Sequence, residues 1–328
     1  MNEFQSAWGQ FVLLRSIRQA KTFLYLVLFA SFPALAPATA VWIDTDVAIG
    51  SPFREVDDAF AILLAARSRN LAIAGISTSY GNASLETSNA AAHDLIQRIK
   101  PGPLSHVYSG ARSRDDLGRE TSATTALAAA LRKEHLTYLA LGPLTNLATF
   151  QLRHPDLARR IKRIIFVGGT SPETDLHFGT GFRVQIHDAN VLKDPAAVRQ
   201  VLAGKTPITL LPVERTSQLI LTGRDLDAIE RSDEPGHYVA TRSRFWLWFW
   251  TTVLGTEGGP IFDAAAILAV ADPNQLSLEK RLATVDAAGN LIVSKASRPG
   301  AHAVAYGVGL SRGASRFVAE KLRGSQPP

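Results

Sequence analysis

The chain has 328 residues, of which 46% are hydrophobic and 20% are charged, so it can bury the core of one large α/β domain or of two smaller domains. Its net charge of +6 falls to +4 when the first 40 residues, with three cations and one anion, are set aside; this charge is too weak and too scattered to indicate nucleic-acid binding. There is no cysteine, which excludes disulfides, thiolate metal sites and a cysteine nucleophile.

Residues 1–40 have the pattern of an export signal. Basic residues up to Lys21 precede the uncharged apolar run FLYLVLFASF (23–32), and small residues up to Ala40 form a cleavage site. An uncleaved membrane anchor is the alternative, but the run is shorter than the roughly 20 residues that a spanning helix needs. We therefore expect a cleaved signal peptide, a mature chain that begins near Val41, a periplasmic or secreted location, and contact with the membrane only through the signal.

From residue 41 onward, strand-like and helix-like segments alternate along the chain. Short apolar runs rich in β-branched residues predict buried strands at 40–44, 71–79, 136–141, 161–169 and 207–213. Helical patterns lie between them at 57–68, 87–100 and 194–204, and VDAAGNLIVSK (285–295) predicts a hairpin with Gly-Asn at its turn. This order predicts a single domain over 41–328, of the α/β class, with an open, mostly parallel central sheet and helices on both faces.

The stretch VWIDTDVAIGSPFREVDDAF (41–60) contains four aspartates, Asp44, Asp46, Asp57 and Asp58. The first two end a predicted strand and the last two begin a predicted helix, so the ten-residue loop between them brings both pairs together at the edge where ligands of such folds bind. Carboxylates so close repel one another unless a cation neutralises them, and their oxygens are preferred ligands of Ca²⁺ and Mg²⁺. The stretch therefore predicts a metal site. Helix capping by Asp57 and backbone contacts of Asp44 are the alternative, which accounts for two of the four.

This stretch resembles the signature of the inosine-uridine-preferring nucleoside hydrolases, which usually reads Asp-x-Asp-Pro-Gly-x-Asp-Asp-Ala. Further segments carry the resemblance along almost the whole exported chain: STSYGNAS (77–84), VYSGA (107–111), LALGPLTNLA (139–148), IIFVGG (164–169), HDANVLKDPAA (187–197), PVERTSQLILT (212–222) and IFDAAAILAVADP (261–273). Each segment alone is a weak signal, but LGPLTNLA and the aspartate cluster in this order are specific together.

The resemblance implies hydrolysis of the N-glycosidic bond of ribonucleosides or related N-ribosides by a water molecule that Ca²⁺ activates. It implies a calcium site with four ligands: Asp46, Asp58, the backbone carbonyl of Thr145 and Asp263. It also makes Asp46 the general base that removes the proton of the water. The residues that it implies for substrate binding are Asp57, Asn82, Asp188 and Asn190. It further implies a homo-oligomer, a dimer or a tetramer.

The sequence departs from the family pattern at three places. The loop after Asp46 has ten residues where the signature has three, which predicts an insertion at the mouth of the site. Where the family usually has Glu-Phe-Asn, this chain has Asp188-Ala189-Asn190, and Phe182 replaces an asparagine that normally lies six residues earlier, so the contacts with the far end of the ribose are expected to be altered. Phe262 stands where base-specific members have a histidine that protonates the departing base.

Two segments later in the chain offer a replacement for this acid and a surface that could stack a base. His237 and Tyr238, in the polar stretch DEPGHYVATR that predicts a surface loop, are the candidate acids. The aromatic stretch RFWLWFW (244–250) indicates either a surface that stacks a nucleobase or a helix packed into the core or a subunit interface.

Two other functions remain open at this stage. The run IDTDV at a strand end is also typical of haloacid-dehalogenase phosphatases, whose first aspartate is a nucleophile, but that function leaves Asp57, Asp58 and LGPLTNLA unexplained. A non-catalytic periplasmic nucleoside-binding protein on the same fold would account for Phe262 and for the altered ribose contacts.

Overall fold

The computed structural model describes residues 38–100, 106–170, 177–178, 180, 184–185 and 188–324. The predicted signal peptide lies outside the described residues except for its last three positions, and Phe182 also lies outside them. From Ala38 onward the chain forms one compact unit.

Within the described residues, a nine-stranded sheet forms the centre of this unit. Its strands are β1 (Thr39–Thr45), β2 (Leu71–Thr78), β3 (Val107–Ser109), β4 (Leu136–Ala140), β5 (Ile161–Val167), β6 (Ile208–Leu211), β7 (Leu276–Val285), β8 (Leu291–Ser294) and β9 (His302–Leu310). They lie in the order β8-β7-β9-β6-β5-β4-β1-β2-β3. The seven strands from β9 to β3 are parallel, and β7 and β8 extend one edge as an antiparallel hairpin. The open, mostly parallel sheet is therefore confirmed, and β7 and β8 form the predicted hairpin.

The described helices lie between and after these strands. They are α1 (Asp57–Arg67), α2 (Leu85–Ile99), α3 (Ser122–Lys133), α4 (Thr145–Arg153), α5 (Pro155–Ala158), α6 (Ala189–Lys193), α7 (Pro195–Leu202), α8 (Val213–Thr216), α9 (Gly223–Glu230), α10 (Glu234–Arg242), α11 (Arg244–Trp248), α12 (Ala264–Ala271) and α13 (Ala314–Leu322). Single turns of 3₁₀ helix lie at Arg114–Asp116 and Pro273–Gln275, and a π-helical turn at Phe249–Val253 follows α11. Two-residue strands pair Ile220–Leu221 with Gly259–Pro260, and His177–Phe178 with Val184–Gln185.

Successive side chains of the strands point to opposite faces of the sheet and separate two hydrophobic cores. Along β1, Val41 and Ile43 pack into one core and Ala40 and Trp42 into the other. Helices α1, α12 and α13 cover the first core, and α3, α4 and α7 cover the second. Helices on both faces are therefore confirmed. Among the described helices, none is long and apolar enough to cross a membrane.

The parallel register determines where the polar residues after the strands lie. Asp44 pairs with Ser77 of β2 and with Ala140 of β4, so these three strands end at the same edge. The chain then runs from β1 through the ten-residue loop to α1, whose first turn begins with Asp57 and Asp58. Negative charge at a helix N-terminus interacts favourably with the helix dipole. Both aspartate pairs therefore reach this edge, as the sequence predicts.

Candidate active site

A cavity of about 290 Å³ lies at the carboxyl ends of the central strands. The predicted site residues that line it are Asp46, Asp57, Asp58, Asn82, Asp188, Asn190 and Asp263. Thr145 is not among its lining residues. The sheet edge, α1, α6 and the start of α12 thus bring together residues that are more than 200 positions apart in the chain.

The acidic wall of the cavity is a cluster of buried carboxylates. Ligand atoms of Asp57, Asp58 and Asp263 lie within 4.8 Å of one another, and all three residues are buried. The hydroxyl of Thr45 donates a hydrogen bond to Asp58, which fixes one member of the cluster. Hard cations prefer oxygen ligands in such a cluster, so the donor set fits Ca²⁺ or Mg²⁺.

Burial and mutual repulsion raise the pKa values of the cluster. Burial, then the charge of Asp58, raises the pKa of Asp57 well above its usual value. The pKa of Asp263 is also well above its usual value, because of burial and then the charge of Asp57. Burial raises the pKa of Asp58 itself to about 6, although the Thr45 hydroxyl lowers it. A bound cation would favour the ionised form of all three carboxylates.

Asp46 lies beside this cluster and is held in a tight backbone cradle. The backbone N–H of Asn82 donates a 2.6 Å hydrogen bond to Asp46 Oδ2. A Cβ atom at Gly81 would lie 1.8 Å from the same oxygen, so only glycine permits the approach. Burial, then the charge of Asp58, raises the pKa of Asp46 well above its usual value, whereas the charge of Lys193 lowers it. A carboxyl group with a raised pKa that faces a cavity is suited to accept a proton.

Asp44 supports the site from behind and does not line the cavity. It is fully buried, and its Oδ1 accepts hydrogen bonds from Ser77 Oγ at 2.6 Å and from Asn146 Nδ2 at 2.8 Å. Asn146 also accepts a hydrogen bond from the backbone N–H of Ala111 and donates one to the carbonyl of Thr78. The Asn of LGPLTNLA therefore ties β1, β2 and the segment after β3 together.

Asp188 and Asn190, two of the predicted substrate-binding residues, line the cavity and also form hydrogen bonds with backbone groups. Asp188 accepts hydrogen bonds from the N–H groups of Gly169, Asn190 and Val191, and so caps α6. Burial raises the pKa of Asp188 to about 6. Asn190 Nδ2 donates to the carbonyls of Leu141 and Val167, at the ends of β4 and β5. These bonds fix α6 against the sheet edge.

Thr145 has a different environment from the other predicted metal ligands. It begins α4, and its hydroxyl donates a 2.6 Å hydrogen bond to Asp194 Oδ2. Leu141, the residue that follows β4, does line the cavity. A metal contact of the Thr145 carbonyl stays a prediction from the resemblance.

The inserted loop contributes a carboxylate that the resemblance does not predict. Glu55 lines the cavity, and its Oε2 accepts a 2.6 Å hydrogen bond from the indole N–H of Trp246. The Asn82 side chain holds the backbone of Glu55 from the other side: its Nδ2 donates to the Glu55 carbonyl at 2.8 Å, and its Oδ1 accepts from the Glu55 N–H at 3.3 Å. Burial raises the pKa of Glu55 to about 7, although the Trp246 hydrogen bond lowers it.

A second cavity of about 390 Å³ adjoins the first, and Arg54 and Glu55 line both. Its other lining residues come from the inserted loop, α10, α11 and the turn after α11: Gly50, Ser51, Pro52, Phe53, Val56, Arg242, Phe245, Trp246 and Phe249. The rings of Phe53 and Phe245 meet edge to face at 5.0 Å between centroids. Within RFWLWFW, Trp246 and Trp250 are buried, while Phe245 and Trp248 are each more than 40% exposed. The stretch thus packs into the core on one side and leaves aromatic surface on the other.

Phe262 lines the cavity beside Asp263, but the candidate replacement acids do not. The stretch DEPGHYVATR forms α10 and not a surface loop, because Pro235 occupies its first turn and Asp233 caps it with a 2.8 Å hydrogen bond from the N–H of Gly236. The Tyr238 hydroxyl donates to Asp94 Oδ2 at 2.6 Å. Neither candidate acid lines the cavity, and the expected surface loop is a helix.

Several residues of the cavity were not predicted, and the charged residues Glu55 and Lys193 are among them. Glu55 has no counterpart in the short family loop, so the resemblance gives it no role. Lys193 lies in HDANVLKDPAA, only three residues after Asn190 on α6, and this helical spacing is the signal that predicts a shared face.

The chain is similar in sequence to known nucleoside hydrolases. The model of the family described as inosine-uridine preferring nucleoside hydrolase matches residues 41–322. The pyrimidine-specific ribonucleoside hydrolase RihB of Escherichia coli strain K12 is 24% identical over 256 residues, which cover 70% of this chain and 80% of that protein.

Solved structures with the same fold come from several sources. The plant nucleoside hydrolase PpNRh1 superposes with a TM-score of 0.72 at 25% identity, covering 88% of this chain and 98% of the plant chain. The purine-preferring ribonucleoside hydrolase of Gardnerella vaginalis superposes with a TM-score of 0.69 at 20% identity, covering 87% and 98% of the two chains. At that identity the second likeness concerns the fold alone.

Proposed function

This chain belongs to the inosine-uridine preferring nucleoside hydrolase family, and from that membership we propose that it hydrolyses N-ribosides at the carboxylate cavity with a bound Ca²⁺ and with Asp46 as general base. The observation that carries the proposal is the set of buried carboxylates Asp46, Asp57, Asp58 and Asp263 around one cavity. The reaction is cleavage of the N-glycosidic bond of a ribonucleoside.

The residues present fit a divalent cation. Asp57, Asp58 and Asp263 offer oxygen atoms close enough to share one ion, and Asp46 is the fourth carboxylate beside them. When bound, such an ion supplies positive charge that lowers the pKa of a water molecule and orients sugar hydroxyls. Ca²⁺ is proposed because it accepts several oxygen ligands without strict geometry.

The residues of the chain have separate roles in the proposed reaction. Asp46 takes a proton from the attacking water as the water oxygen bonds to C1′ of the ribose. The sugar develops positive charge as the bond to the base breaks, and the surrounding carboxylates stabilise that charge more in the transition state than in the ground state. Asp57, Asp188 and Asn190 line the wall where we propose the ribose hydroxyls bind.

We also propose that the protein is exported and that it assembles as a dimer or tetramer. The sequence pattern of residues 1–40 supports export, and the exposed ring of Trp248, which does not line the second cavity, offers an apolar surface for assembly. Mass spectrometry of the native N-terminus tests the first proposal, and light scattering tests the second.

The environment of Asp44 disfavours the phosphatase function. A nucleophilic aspartate must face its substrate, whereas Asp44 is fully buried and its Oδ1 accepts two hydrogen bonds. An experiment distinguishes the proposed hydrolase from the alternative, a non-catalytic nucleoside-binding protein. A panel of ribonucleosides is incubated with the enzyme in Ca²⁺ and in chelator, and free ribose is measured. Ribose release in Ca²⁺ and its loss in chelator support the proposal, whereas nucleoside binding without release selects the binding protein.

A further inference from the structure

The cavity differs from the expected nucleoside hydrolase site in its proton donors. A neutral nucleobase leaves as an anion unless an acid protonates it, and such help is typically worth ~10²- to 10⁴-fold in rate. Phe262 lines the cavity and has no proton to donate, and the described lining residues include no histidine, tyrosine or cysteine. The acid that the resemblance places at position 262 is therefore missing, and Glu55 and Lys193 are the described lining residues outside the aspartates that can carry and release a proton.

The described lining of the cavity carries an excess of negative charge. Its described lining contains six carboxylates, Asp46, Glu55, Asp57, Asp58, Asp188 and Asp263, against two cationic side chains, Arg54 and Lys193. One divalent cation would compensate two of the carboxylates, so the lining stays negative with the ion bound. A negative cavity attracts a cationic ligand and repels an anionic one.

Glu55 is the carboxylate that lines both the first cavity and the second cavity with its aromatic rings. Its Oε2 is fixed by the Trp246 indole, its backbone is fixed by Asn82, and it lines both cavities. The rings of Phe53, Phe245 and Phe249 line the second cavity around it. A carboxylate next to aromatic rings is the combination that binds flat organic cations, since ring faces also attract positive charge.

Building on the proposed function, we propose that the preferred substrates are N-ribosides of positively charged heteroaromatic bases, such as pyridinium or N-alkylated purinium ribosides, and that Glu55 and the aromatic rings beside it bind the cationic base. Glu55 is then the specificity-determining residue of the inserted loop.

The chemistry of such substrates matches the cavity. When the C1′–N bond breaks, its electron pair passes to the ring nitrogen and cancels the positive charge of the base. The base therefore leaves as a neutral molecule and needs no proton. The water oxygen forms the new bond to C1′, and its proton passes to Asp46. No oxidant, reductant or further reactant is required.

The kinetic test uses adenosine and 7-methyladenosine, which differ by one methyl group and one positive charge on the base. 7-Methyladenosine has no ring N–H to lose, so its base stays cationic at neutral pH. The value of kcat/KM is measured for both, at the same pH, with the wild-type enzyme and Glu55→Gln. Glu320→Gln, an exposed carboxylate on α13, is the control and should leave both values unchanged. The intrinsic lability of 7-methyladenosine cancels when the variants are compared.

We expect Glu55→Gln to lower kcat/KM for 7-methyladenosine about tenfold more than for adenosine. An equal loss for both substrates indicates a structural role and overturns the proposal. A larger loss for adenosine also overturns it, because Glu55 would then donate a proton to a neutral base. If neither riboside releases ribose with any variant, the proposed function itself fails.

A binding measurement checks the inference without turnover. Calorimetry with the calcium-loaded enzyme compares 1-methylnicotinamide, a cation, with nicotinamide, its neutral counterpart. We expect the cation to bind at least about tenfold more tightly and Glu55→Gln to remove the difference. Equal affinities for the wild-type enzyme would overturn the proposal while leaving nucleoside hydrolysis intact.

Discussion

The backbone N–H of Asn82 binds Asp46 Oδ2 at 2.6 Å, and the side chain of the same asparagine binds the backbone of Glu55. Asn82, in the segment that follows β2, therefore joins the proposed general base to the inserted loop. Changes at this position or at Gly81 before it should affect the base, the loop or both, in ways that kinetics can separate.

Gly81→Ala should inactivate the enzyme without unfolding it. The added Cβ would lie 1.8 Å from Asp46 Oδ2, so the carboxylate must move away from its hydrogen bond with Asn82. We expect kcat to fall by about 100-fold, the lower range for loss of a general base. The control is Gly223→Ala, since a Cβ there meets nothing within 4 Å. Normal activity of Gly81→Ala would contradict the assigned position of Asp46.

Asp46→Asn tests the base directly while keeping the shape of the side chain. The amide oxygen can still accept the hydrogen bond from Asn82, but the group no longer takes a proton. We expect kcat to fall by ~10²- to 10⁴-fold. Ribose release is measured under saturating Ca²⁺, so that weaker ion binding is compensated. A variant that keeps more than a tenth of the wild-type rate would exclude Asp46 as the base.

Asn82→Ala should loosen the inserted loop. It removes both side-chain hydrogen bonds to Glu55 but keeps the backbone N–H that binds Asp46. The Glu55 backbone then loses two hydrogen bonds, while its side chain keeps the bond from Trp246. We therefore expect KM to rise more than kcat falls, and the free energy of unfolding to decrease by about 1–3 kcal/mol. Asn70→Ala, which removes a 2.8 Å hydrogen bond to the Ala271 carbonyl, is the control. It should affect stability alone.

Asp263→Asn should weaken ion binding. The wild-type protein should be stabilised by about 3 kcal/mol when Ca²⁺ is present at roughly 100 times its Kd, because only the folded cluster binds the ion. Replacing one of the three clustered carboxylates lowers the affinity, so the same Ca²⁺ concentration should raise the melting temperature less. Differential scanning calorimetry in Ca²⁺ and in chelator measures both shifts. Equal shifts in the two proteins would remove Asp263 from the ion site.

The chelated protein should become more stable as the solution is acidified. Burial raises the pKa values of Asp44, Asp58 and Asp188 to about 6 from 3.8, so their protons bind more tightly in the folded state than in the unfolded state. The stability from these groups is therefore gained as pH falls through 6 toward 3.8. We expect a higher melting temperature at about pH 5.5 than at about pH 7.5 in chelator. With Ca²⁺ the trend should reverse, because protons compete with the ion.

Much of the fold could be predicted because its signals are local. The apolar runs at 40–44 and 161–169 coincide with β1 and β5, and the helical pattern after Asp57 coincides with α1. The short β3 has only three residues, and β9 (HAVAYGVGL) is interrupted by alanine and glycine, so neither segment gives a clear strand pattern in the sequence. The α10 helix was mistaken for a loop because its capping Asp and Pro also form turns.

The site was predictable only where its residues follow strands or motifs. Asp46 and Asp58 were found because a strand and a helix aim them at one edge. The Glu55–Trp246 contact joins residues 191 positions apart, and no local pattern predicts such a pair. The bonds of Asn190 to the Leu141 and Val167 carbonyls depend on strand neighbours that only the three-dimensional order reveals.

In the proposed site, Glu55, which contacts the base, lies on the inserted loop, whereas the residues that bind the ion do not. This separation bears on how such enzymes diverge. The carboxylates of the ion cluster lie outside the loop, with Asp57 and Asp58 at the start of α1 and Asp263 at the start of α12. The side chains of Phe53, Arg54 and Glu55 belong to the loop itself. Mutation can therefore lengthen, shorten or rewrite the loop while the hydrolytic residues keep their places. If this loop replaces the short loop of a relative, the relative should acquire the preference of this enzyme for the leaving base.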